Sequence, residues 1–209
     1  MPHHNSGGEL EYSYTEYERL LACQIRRLKT REPYDLFVGL STGAWWLLYH
    51  MIRCEELFIN GFRPWVTFYA SRYKKSGPGT MVLSSGLDGN LQGFEKLKRK
   101  RRILVLDDLV DAEDGHSTLV KVMLWMPQIL CQHKLITRPA DVAQVDAAVL
   151  LIKEHAFDTL PAKALESVIF AEIVRRDLKT GKCPWVKQPF ERSTDNILEL
   201  VSVPSEKEP

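Results

Sequence analysis

The sequence has almost no net charge, because 28 basic residues stand against 27 acidic ones and the formal net charge is only +1. Proteins that bind nucleic acid or membrane surfaces usually carry a strong field of one sign, which this chain lacks. We therefore expect no nucleic acid and no membrane among its partners. Any site for an anion has to be built locally, from a few side chains and backbone N–H groups.

Long apolar runs and clustered cysteines are also absent. The apolar segments are short or interrupted by charge, and the first eight residues, Met-Pro-His-His-Asn-Ser-Gly-Gly, lack the apolar centre of a signal peptide. The cysteines lack the paired spacing of metal ligands, which favours reduced thiols over disulfides or zinc. They are Cys23, Cys54, Cys131 and Cys183. These absences, with a length of 209 residues, predict a cytoplasmic protein of one main domain.

Residues 103–118 form the most informative segment, Ile-Leu-Val-Leu-Asp-Asp-Leu-Val-Asp-Ala-Glu-Asp-Gly-His-Ser-Thr. Its first four residues predict a buried strand of a parallel sheet, which ends at Asp107 and Asp108. Ser117 and Thr118 are typical of a helix start, and an amphipathic helical pattern follows them. Ligands of open α/β sheets bind beyond the carboxyl ends of strands, and helix N-termini attract anions. The segment therefore predicts a site for a phosphorylated sugar with Mg²⁺.

Strands and helices alternate along the rest of the chain, which predicts an α/β fold with a mostly parallel sheet flanked by helices. Further strands are predicted at residues 34–40, 65–70, 149–152 and 167–174, and helices at residues 15–29 and after the turn Ser41-Thr42-Gly43-Ala44. Three parts are predicted: a flexible N-terminal tail (1–14), a core (15–180), and a C-terminal hood segment and tail (181–209).

Several conspicuous residues receive a structural interpretation. The basic run at residues 96–102, Lys-Leu-Lys-Arg-Lys-Arg-Arg, is interpreted as a solvated turn rather than an RNA-binding patch. Trp45, Trp46 and Trp125 are assigned to the core or to an interface. His155 is given no role, because the sequence offers it no partner.

Residues 104–111, Leu-Val-Leu-Asp-Asp-Leu-Val-Asp, resemble the phosphoribosyl-pyrophosphate signature of type I phosphoribosyltransferases, most of all the 6-oxopurine enzymes of the xanthine-guanine type. Three further segments match the family's motifs in the same order. They are a loop after the first core strand (38–43), a strand ending in lysine (151–153) and Pro-Trp-Val-Lys-Gln-Pro-Phe-Glu (184–191). The resemblance implies a type I phosphoribosyltransferase fold with a small C-terminal hood.

The resemblance also implies roles in binding the activated sugar. Asp107 and Asp108 hold the ribose 2- and 3-hydroxyls, directly or through Mg²⁺. The 5′-phosphate is bound by N–H groups and hydroxyls at Asp114, Gly115, His116, Ser117 and Thr118. The pyrophosphate is bound by the loop at Ser41, Thr42 and Gly43.

A second set of implied roles concerns the base. Asp111 lies beside N7 of the purine and handles its proton. Lys153 donates to the 6-oxo group, and Trp185 stacks on the ring. The main-chain carbonyl next to Trp185, at Val186, accepts from the amino group of guanine. A mobile loop closes over the site to keep water out and contains Ser71, Arg72 and Tyr73.

The chain departs from the family pattern in two loops. The phosphate loop is longer than usual, so the residue that faces N7 is Asp111 when counted from the strand, or Asp114 when counted back from Thr118. We favour Asp111, because loops absorb insertions more easily than strands. Thr42 stands where many relatives carry Arg or Lys, and the missing charge has three candidate sources, Arg72, Lys74 and Lys75.

The function implied by the resemblance is purine salvage. The phosphoribosyl group of phosphoribosyl pyrophosphate is transferred to N9 of guanine or another 6-oxopurine, with Mg²⁺, by a homodimer or homotetramer. The alternative is a catalytically inactive protein of the same fold that senses a nucleotide or regulates by binding RNA. Thr42 and the longer loop favour the alternative, whereas Asp111 and Lys153 argue against it. A pyrimidine acceptor is a weaker alternative, because the segment around Trp185 favours a purine.

Overall fold

The computed structural model describes residues 3–4, 9–40, 43–59, 63–68, 70–71, 82–83, 88–94, 97, 99–112 and 117–189. The chain forms two compact units, one of residues 1–19 and 184–209 and one of residues 20–183. The α-helices are α1 (Tyr14–Leu28), α2 (Gly43–Met51), α3 (Thr118–Gln132), α4 (Ala156–Thr159) and α5 (Ala162–Glu166). The strands are β1 (His3–His4), β2 (Leu10–Glu11), β3 (Leu36–Leu40), β4 (Trp65–Phe68), β5 (Ala70–Ser71), β6 (Val82–Leu83), β7 (Asp88–Asn90), β8 (Arg101–Val110), β9 (Val142–Lys153), β10 (Val168–Val174) and β11 (Val186–Lys187). Within these described ranges, no helix is long and apolar enough to cross a membrane.

A six-stranded sheet forms the centre of the unit of residues 20–183, in the order β10-β9-β8-β3-β4-β7. Neighbouring strands are parallel except for the pair of β4 and β7. Helix α2 packs on β3 and β8, and α3 packs on β8 and β9. All of β3 and residues 103–106 of β8 are buried, which explains their uninterrupted apolar sequences. The predicted α/β class, with a mostly parallel sheet flanked by helices, is confirmed.

The order of the strands reverses between β3 and β8. After β3 the chain adds β4 on one side, and β8, β9 and β10 are then added in sequence on the other side. Such a reversal leaves a crevice at the carboxyl ends of the two strands, which is where ligands of open α/β sheets bind. We therefore expect the residues after β3 and the last residues of β8 to share one site.

The predicted end of the central strand at Asp107 is wrong, because β8 continues through both acidic residues to Val110. Asp107 pairs with Val149 of β9, and Val110 pairs with Ile152. The backbone pairing with the long strand β9 outweighs the low strand propensity of aspartate. The two acids are therefore held by a sheet and not by a loop.

Helix α3 buries one apolar stripe, as its sequence predicts. Leu119, Met126 and Leu130 recur at helical spacing and are buried. Trp125 lies off this stripe and is 53% exposed, and Trp45 of α2 is 46% exposed. Of the two predicted alternatives, core or interface, the core is therefore excluded for Trp45 and Trp125, and an interface role for them stays a prediction.

The unit of residues 1–19 and 184–209 contains a small sheet with the order β1-β2-β11. The N–H of Leu10 donates to the carbonyl of Trp185 at 2.8 Å, and the N–H of Tyr12 donates to the carbonyl of Lys187 at 3.2 Å. Segments from the two ends of the chain are thus joined by backbone hydrogen bonds. The predicted tail at 1–14 and the hood segment at 181–209 stay predictions.

A polar network surrounds Asp146, which is only 1% exposed. The hydroxyl of Tyr34 donates to Asp146 Oδ2 at 2.9 Å, Gln144 Nε2 donates to Oδ1 at 2.8 Å, and Arg102 lies 3.8 Å away. Burial, and then the negative charge of Asp146, raise the pKa of Tyr34 above its ordinary value of 10.0. A buried carboxylate is tolerated here because several donors satisfy it.

The basic run at residues 96–102 is only partly a solvated turn. The side chain of Arg102 is 15% exposed and donates to Gln144 Oε1 at 2.7 Å, and the backbone N–H of Arg102 donates to the buried Asp35 at 2.8 Å. Arg99 forms an ion pair with the same carboxylate. The interpretation as a solvated turn is wrong for Arg102, which anchors the start of β8 in the protein.

Substitution of Tyr34 by Phe is expected to destabilise the fold. The change removes one donor from the buried carboxylate of Asp146, which costs about 1–3 kcal/mol and lowers the melting temperature by roughly 2–10 °C. The control is Tyr49→Phe, since Tyr49 is 50% exposed and its change is expected to cost less than about 0.5 kcal/mol. Calorimetry of both variants tests the prediction, and equal melting temperatures would contradict it.

Candidate functional site

Asp107 and Asp108 lie near the carboxyl end of β8, at the reversal in strand order. Both are partly buried, and the N–H of Asp108 donates to Asp107 Oδ1 at 3.0 Å. Burial, and then the negative charge of Asp108, raise the pKa of Asp107 well above its ordinary value of 3.8. Two acids this close repel each other as carboxylates, so the pair favours a ligand that brings hydroxyl donors or a cation.

The start of α2 lies directly against Asp108. A Cβ added at Gly43 would stand 2.6 Å from Asp108 Cγ and Oδ2, and 2.7 Å from Oδ1. Real Cβ atoms essentially never come so close, so only glycine fits against the carboxylate in this position. The predicted pyrophosphate loop, whose last residue is Gly43, therefore ends at one of the predicted ribose-binding acids.

A cluster of three polar side chains lies at the ends of β8 and β9. Lys153 Nζ donates to Asp111 Oδ2 at 2.6 Å, and His155 Nε2 lies 2.9 Å from Asp111 Oδ1. The side chains of Lys153 and His155 are 5% and 12% exposed, so solvent screens these contacts little. Burial alone would raise the pKa of Asp111, but Lys153 first and then His155 lower it below its ordinary value of 3.8. Asp111 is therefore a carboxylate at neutral pH and can only accept hydrogen bonds.

The turn after β9 is fixed by its neighbours. The N–H of Glu154 donates to the carbonyl of Val174, the last residue of β10, at 2.9 Å. The hydroxyl of Thr159 donates to the carbonyl of Ala112 at 2.9 Å. These bonds tie the turn to the chain at the ends of β10 and β8. The side chains that this turn carries therefore stand on a rigid base.

The start of α3 has the geometry of a helix N-terminus that can bind an anion. Ser117 is the N-cap, and its hydroxyl accepts from the N–H of Val120 at 3.4 Å. Thr118 is the first residue of the helix. The first N–H groups of a helix have no partner within the helix, and the positive end of its dipole favours a phosphate. The predicted phosphate role of Ser117 and Thr118 stays a prediction that this geometry permits.

Several predicted site residues lie outside the described part of the chain. They are Ser41, Thr42, Arg72, Tyr73, Asp114, Gly115 and His116. At Ser71 only the backbone is described, and it pairs with Val82 in the short sheet of β5 and β6. The choice between Asp111 and Asp114 is thus informed only by the contacts of Asp111.

The residues predicted to cover the base belong to the unit of residues 1–19 and 184–209. Trp185 is 60% exposed, whereas Val186 is buried and lies in β11. This exposure excludes core packing as the role of Trp185 in its unit. Stacking of Trp185 on a purine stays a prediction.

The acids at the end of β8 suit a magnesium ion that is bound together with a substrate. Among the described residues, no group of three or more His, Cys, Asp or Glu could hold a metal by itself. Mg²⁺ commonly takes one or two carboxylates and completes its shell with water and substrate oxygens. The pKa of Asp107 is raised first by burial and then by the negative charge of Asp108, and a cation would neutralise this charge. Asp107 and Asp108 therefore fit the ion as its protein ligands, directly or through the ribose hydroxyls.

His155 is the site residue that the sequence did not reveal. It contacts Asp111 across 44 positions of the chain, and such a contact depends on the pairing of β8 with β9. One signal was present: His155 follows the strand that ends in Lys153 by two residues, so it had to lie at the same edge of the sheet. A polar residue in that position is a candidate for any site at this edge.

Comparison with solved structures relates the fold to known proteins. A purine phosphoribosyltransferase from Pyrococcus horikoshii Ot3 is similar with a TM-score of 0.51 and 17% identity, over 87% of this chain and 93% of that one. The xanthine-guanine-hypoxanthine phosphoribosyltransferase of Helicobacter pylori is similar with a TM-score of 0.54 and 15% identity, over 90% and 97% of the chains. A hypothetical protein from Neisseria gonorrhoeae with bound ppGpp has a TM-score of 0.51 and 18% identity, over 90% and 93%.

The sequence itself has no such match, since no protein-family model and no curated protein matches it. At identities of 15–18% the structural likeness speaks for the fold alone. The similar structures include two purine phosphoribosyltransferases, and the alignments cover nearly their whole length. The chain therefore has the type I phosphoribosyltransferase fold, as its sequence motifs predicted.

Proposed function

We propose that the protein transfers the phosphoribosyl group of phosphoribosyl pyrophosphate to N9 of guanine or another 6-oxopurine, with Mg²⁺ as cofactor. The observation that carries the proposal is the ion pair of Asp111 and Lys153, whose atoms lie 2.6 Å apart. N7 and O6 are neighbours on one edge of a 6-oxopurine, so an acceptor for N7–H and a donor to O6 have to lie side by side. The fold of two purine phosphoribosyltransferases supports the same class of reaction.

The proposed mechanism assigns each step to groups of the chain. N9 of the base forms a bond to C1 of the ribose while the C1–O bond breaks, and its electron pair leaves with pyrophosphate. Positive charge develops on the ribose in this step, and Asp107 and Asp108 hold its hydroxyls and stabilise that charge. Asp111 accepts the proton from N7, while Lys153 donates to O6. Bound Mg²⁺ would supply positive charge to the departing pyrophosphate.

The choice of base tests the proposal most directly. We expect turnover of guanine, hypoxanthine or xanthine, and a kcat/KM for adenine that is at least about 100-fold lower. The reason is that the 6-amino group of adenine presents donors to the ammonium of Lys153, which itself can only donate. The turnover of each base is measured by the release of pyrophosphate and by chromatography of the nucleotide product. A folded protein that turns over no base would refute the proposal, and a preference for adenine would refute the role of Lys153.

A second candidate function is a nucleotide sensor of the same fold that carries out no reaction. It is favoured by one observation, the similar Neisseria gonorrhoeae structure with bound ppGpp. Binding of guanosine monophosphate or ppGpp, measured by calorimetry, together with no turnover of any base would support this candidate. Turnover would exclude it.

The RNA-binding form of that alternative has less support. It relies on the basic run at residues 96–102, but the guanidinium of Arg99 pairs with the buried Asp35, and the guanidinium of Arg102 contacts Gln144 and Glu32. The run also lies at the amino end of β8, whereas the acidic residues lie near its carboxyl end. Retention of RNA that falls steeply with salt would be needed to support it.

A further inference from the structure

Both carboxylate oxygens of Asp111 already have a partner. Lys153 Nζ donates to Oδ2 at 2.6 Å, and His155 Nε2 lies 2.9 Å from Oδ1. The proposed reaction requires Asp111 to accept the N7–H of the purine, and it requires Lys153 to donate to O6. The base therefore enters an arrangement in which each oxygen of Asp111 already has one partner and can accept one more hydrogen bond.

We infer that His155 is a positioning residue, which holds Oδ1 of Asp111 throughout the reaction while Lys153 turns an N–H toward the 6-oxo group and Oδ2 accepts N7–H. The inference rests on the proposed function, because the new contacts of Lys153 and Oδ2 have meaning only when a 6-oxopurine binds. It gives different tasks to the two donors that the free protein presents to one carboxylate.

The two donors differ in mobility. Lysine has a long flexible stem and three N–H donors, so it can turn toward a new acceptor or serve two acceptors at once. The imidazole of His155 is planar and short, and the backbone carbonyl of His155 accepts from the N–H of Asp158 at 3.1 Å. The fixed donor therefore stays with its oxygen, and the mobile donor follows the substrate.

The hydrogen bond also determines the tautomer of His155. Because Asp111 is a carboxylate and can only accept, Nε2 has to carry the proton in this contact. The N–H of Ala112 also points toward Nε2, at 3.4 Å, but a protonated nitrogen cannot accept from it. The contact with Asp111 at 2.9 Å is the shorter one and therefore prevails.

The charged residues on either side of His155 in the sequence have partners elsewhere. Glu154 forms an ion pair with Arg175, and its carboxylate accepts from the N–H of Arg176. Asp158 forms an ion pair with Arg176. Among the described contacts, the group that His155 faces is therefore Asp111, and Asp111 in turn faces Lys153 and His155.

The test compares His155→Leu with His155→Gln. The amide nitrogen of glutamine can replace Nε2 as a donor to Asp111, whereas leucine keeps the bulk and has no donor. We expect His155→Leu to lower kcat by about 10–100-fold, because Oδ2 loses its direction, and His155→Gln to stay within about 5-fold of wild type. KM for phosphoribosyl pyrophosphate should change little in either variant. Equal losses in both variants would overturn the inference.

The pH profile separates positioning from a merely structural effect. His155 is one of the groups that lower the pKa of Asp111, so its loss should raise this pKa toward the ordinary 3.8. The base has to be ionised, and the acidic limb of kcat/KM should therefore move to higher pH in His155→Leu. A loss of stability alone would leave this limb where it is in wild type.

A second readout does not require activity. Nitrogen spectra of isotope-labelled histidine should report His155 as the Nε2–H tautomer in the wild type, with the assignment made by its absence in His155→Gln. In Asp111→Leu that tautomer preference should be lost. An Nδ1–H tautomer in the wild type overturns the inference whatever the enzyme does, whereas absence of turnover with the Nε2–H tautomer present refutes only the proposed function.

Discussion

Asp111→Asn is expected to lower kcat/KM for guanine by about 10²–10⁴-fold, which is the usual contribution of a positioned general base. The asparagine side chain has nearly the same shape but cannot take up the N7 proton. It also presents two donors on one side, so one contact with Lys153 or His155 loses its acceptor. Steady-state kinetics with saturating phosphoribosyl pyrophosphate measure the loss, and activity near that of wild type would exclude Asp111 as the base.

The control for this variant is Asp158→Asn. Asp158 is a nearby aspartate whose side chain is 63% exposed and pairs with Arg176 on the surface. Exposed ion pairs contribute little, so we expect wild-type kinetics and a stability change below about 1 kcal/mol. A similar loss of activity in both variants would show that the effect is not specific to the cluster.

Asp111→Asn should also destabilise the protein, for a reason separate from catalysis. Lys153 is 4% exposed, and the change removes the carboxylate opposite its buried ammonium. The double variant Asp111→Asn with Lys153→Met removes the charge as well and should recover part of the lost melting temperature. It should not recover activity. If the double variant regains stability but not activity, the loss of kcat/KM in Asp111→Asn is due to catalysis and not to unfolding.

The ion pair of Asp111 and Lys153 determines whether the stability of the protein rises or falls with pH. The pKa of Asp111 is lower in the folded protein than its ordinary 3.8. Its contribution to stability is therefore fully present above the unfolded value and is lost as the pH falls through the folded value. The wild type should lose this contribution on acidification below about pH 4, and Asp111→Asn should lack that step.

The elements of the fold were largely predictable because their signals are local. Strand β3, residues 103–106 of β8 and residues 147–152 of β9 are buried and continuously apolar, and α3 repeats its apolar residues at helical spacing after the N-cap Ser117. Where pairing with a distant strand determines the end of an element, the prediction from the sequence was wrong. Strand β8 continues through Asp107 and Asp108 because β9 supplies a partner for their backbone, which no local pattern of β8 indicates.

The contacts of the candidate site could not be predicted from the sequence. Asp111 was placed in the loop after the central strand and Lys153 at the end of another strand, yet only the strand order brings them within 2.6 Å. His155 was passed over because a single histidine gives no pattern, and its partner lies 44 positions away. Arg102 was assigned to solvent because it stands in a run of like charges, although its guanidinium donates to Gln144, which lies 42 positions later.

Gly43→Ala is expected to lower kcat/KM by about 100-fold or more while the protein remains folded. The new methyl group would lie 2.6 Å from Asp108 Cγ, so the carboxylate has to move. A short side chain can rotate away at modest cost in stability, but a shift of about 1 Å in a positioning group can cost 10²-fold in rate. The loss should appear with every 6-oxopurine, because Asp108 is proposed to bind the ribose and not the base.

The control for Gly43→Ala is Gly39→Ala, in the strand that precedes the same loop. A Cβ at Gly39 would lie 3.2 Å from Thr67 Cγ2 and 3.3 Å from Leu48 Cδ2, both of them apolar methyl groups. Gly39→Ala should therefore reduce stability by about 1–3 kcal/mol through overpacking and leave kcat/KM of the folded protein nearly unchanged. Equal kinetic losses in both variants would show that disturbance of β3 and its loop, and not the displacement of Asp108, lowers the activity.

A double-mutant cycle with Asp108→Asn can establish how Gly43→Ala lowers kcat/KM. If Gly43→Ala acts by displacing the carboxylate of Asp108, the double variant should be no slower than Asp108→Asn alone, because the group that the methyl displaces has already lost its function. If the two losses multiply, Gly43 acts on another part of the site, such as the path of the backbone toward the pyrophosphate. Non-additivity would therefore connect the end of β8 to the start of α2 as one binding unit at the reversal in strand order.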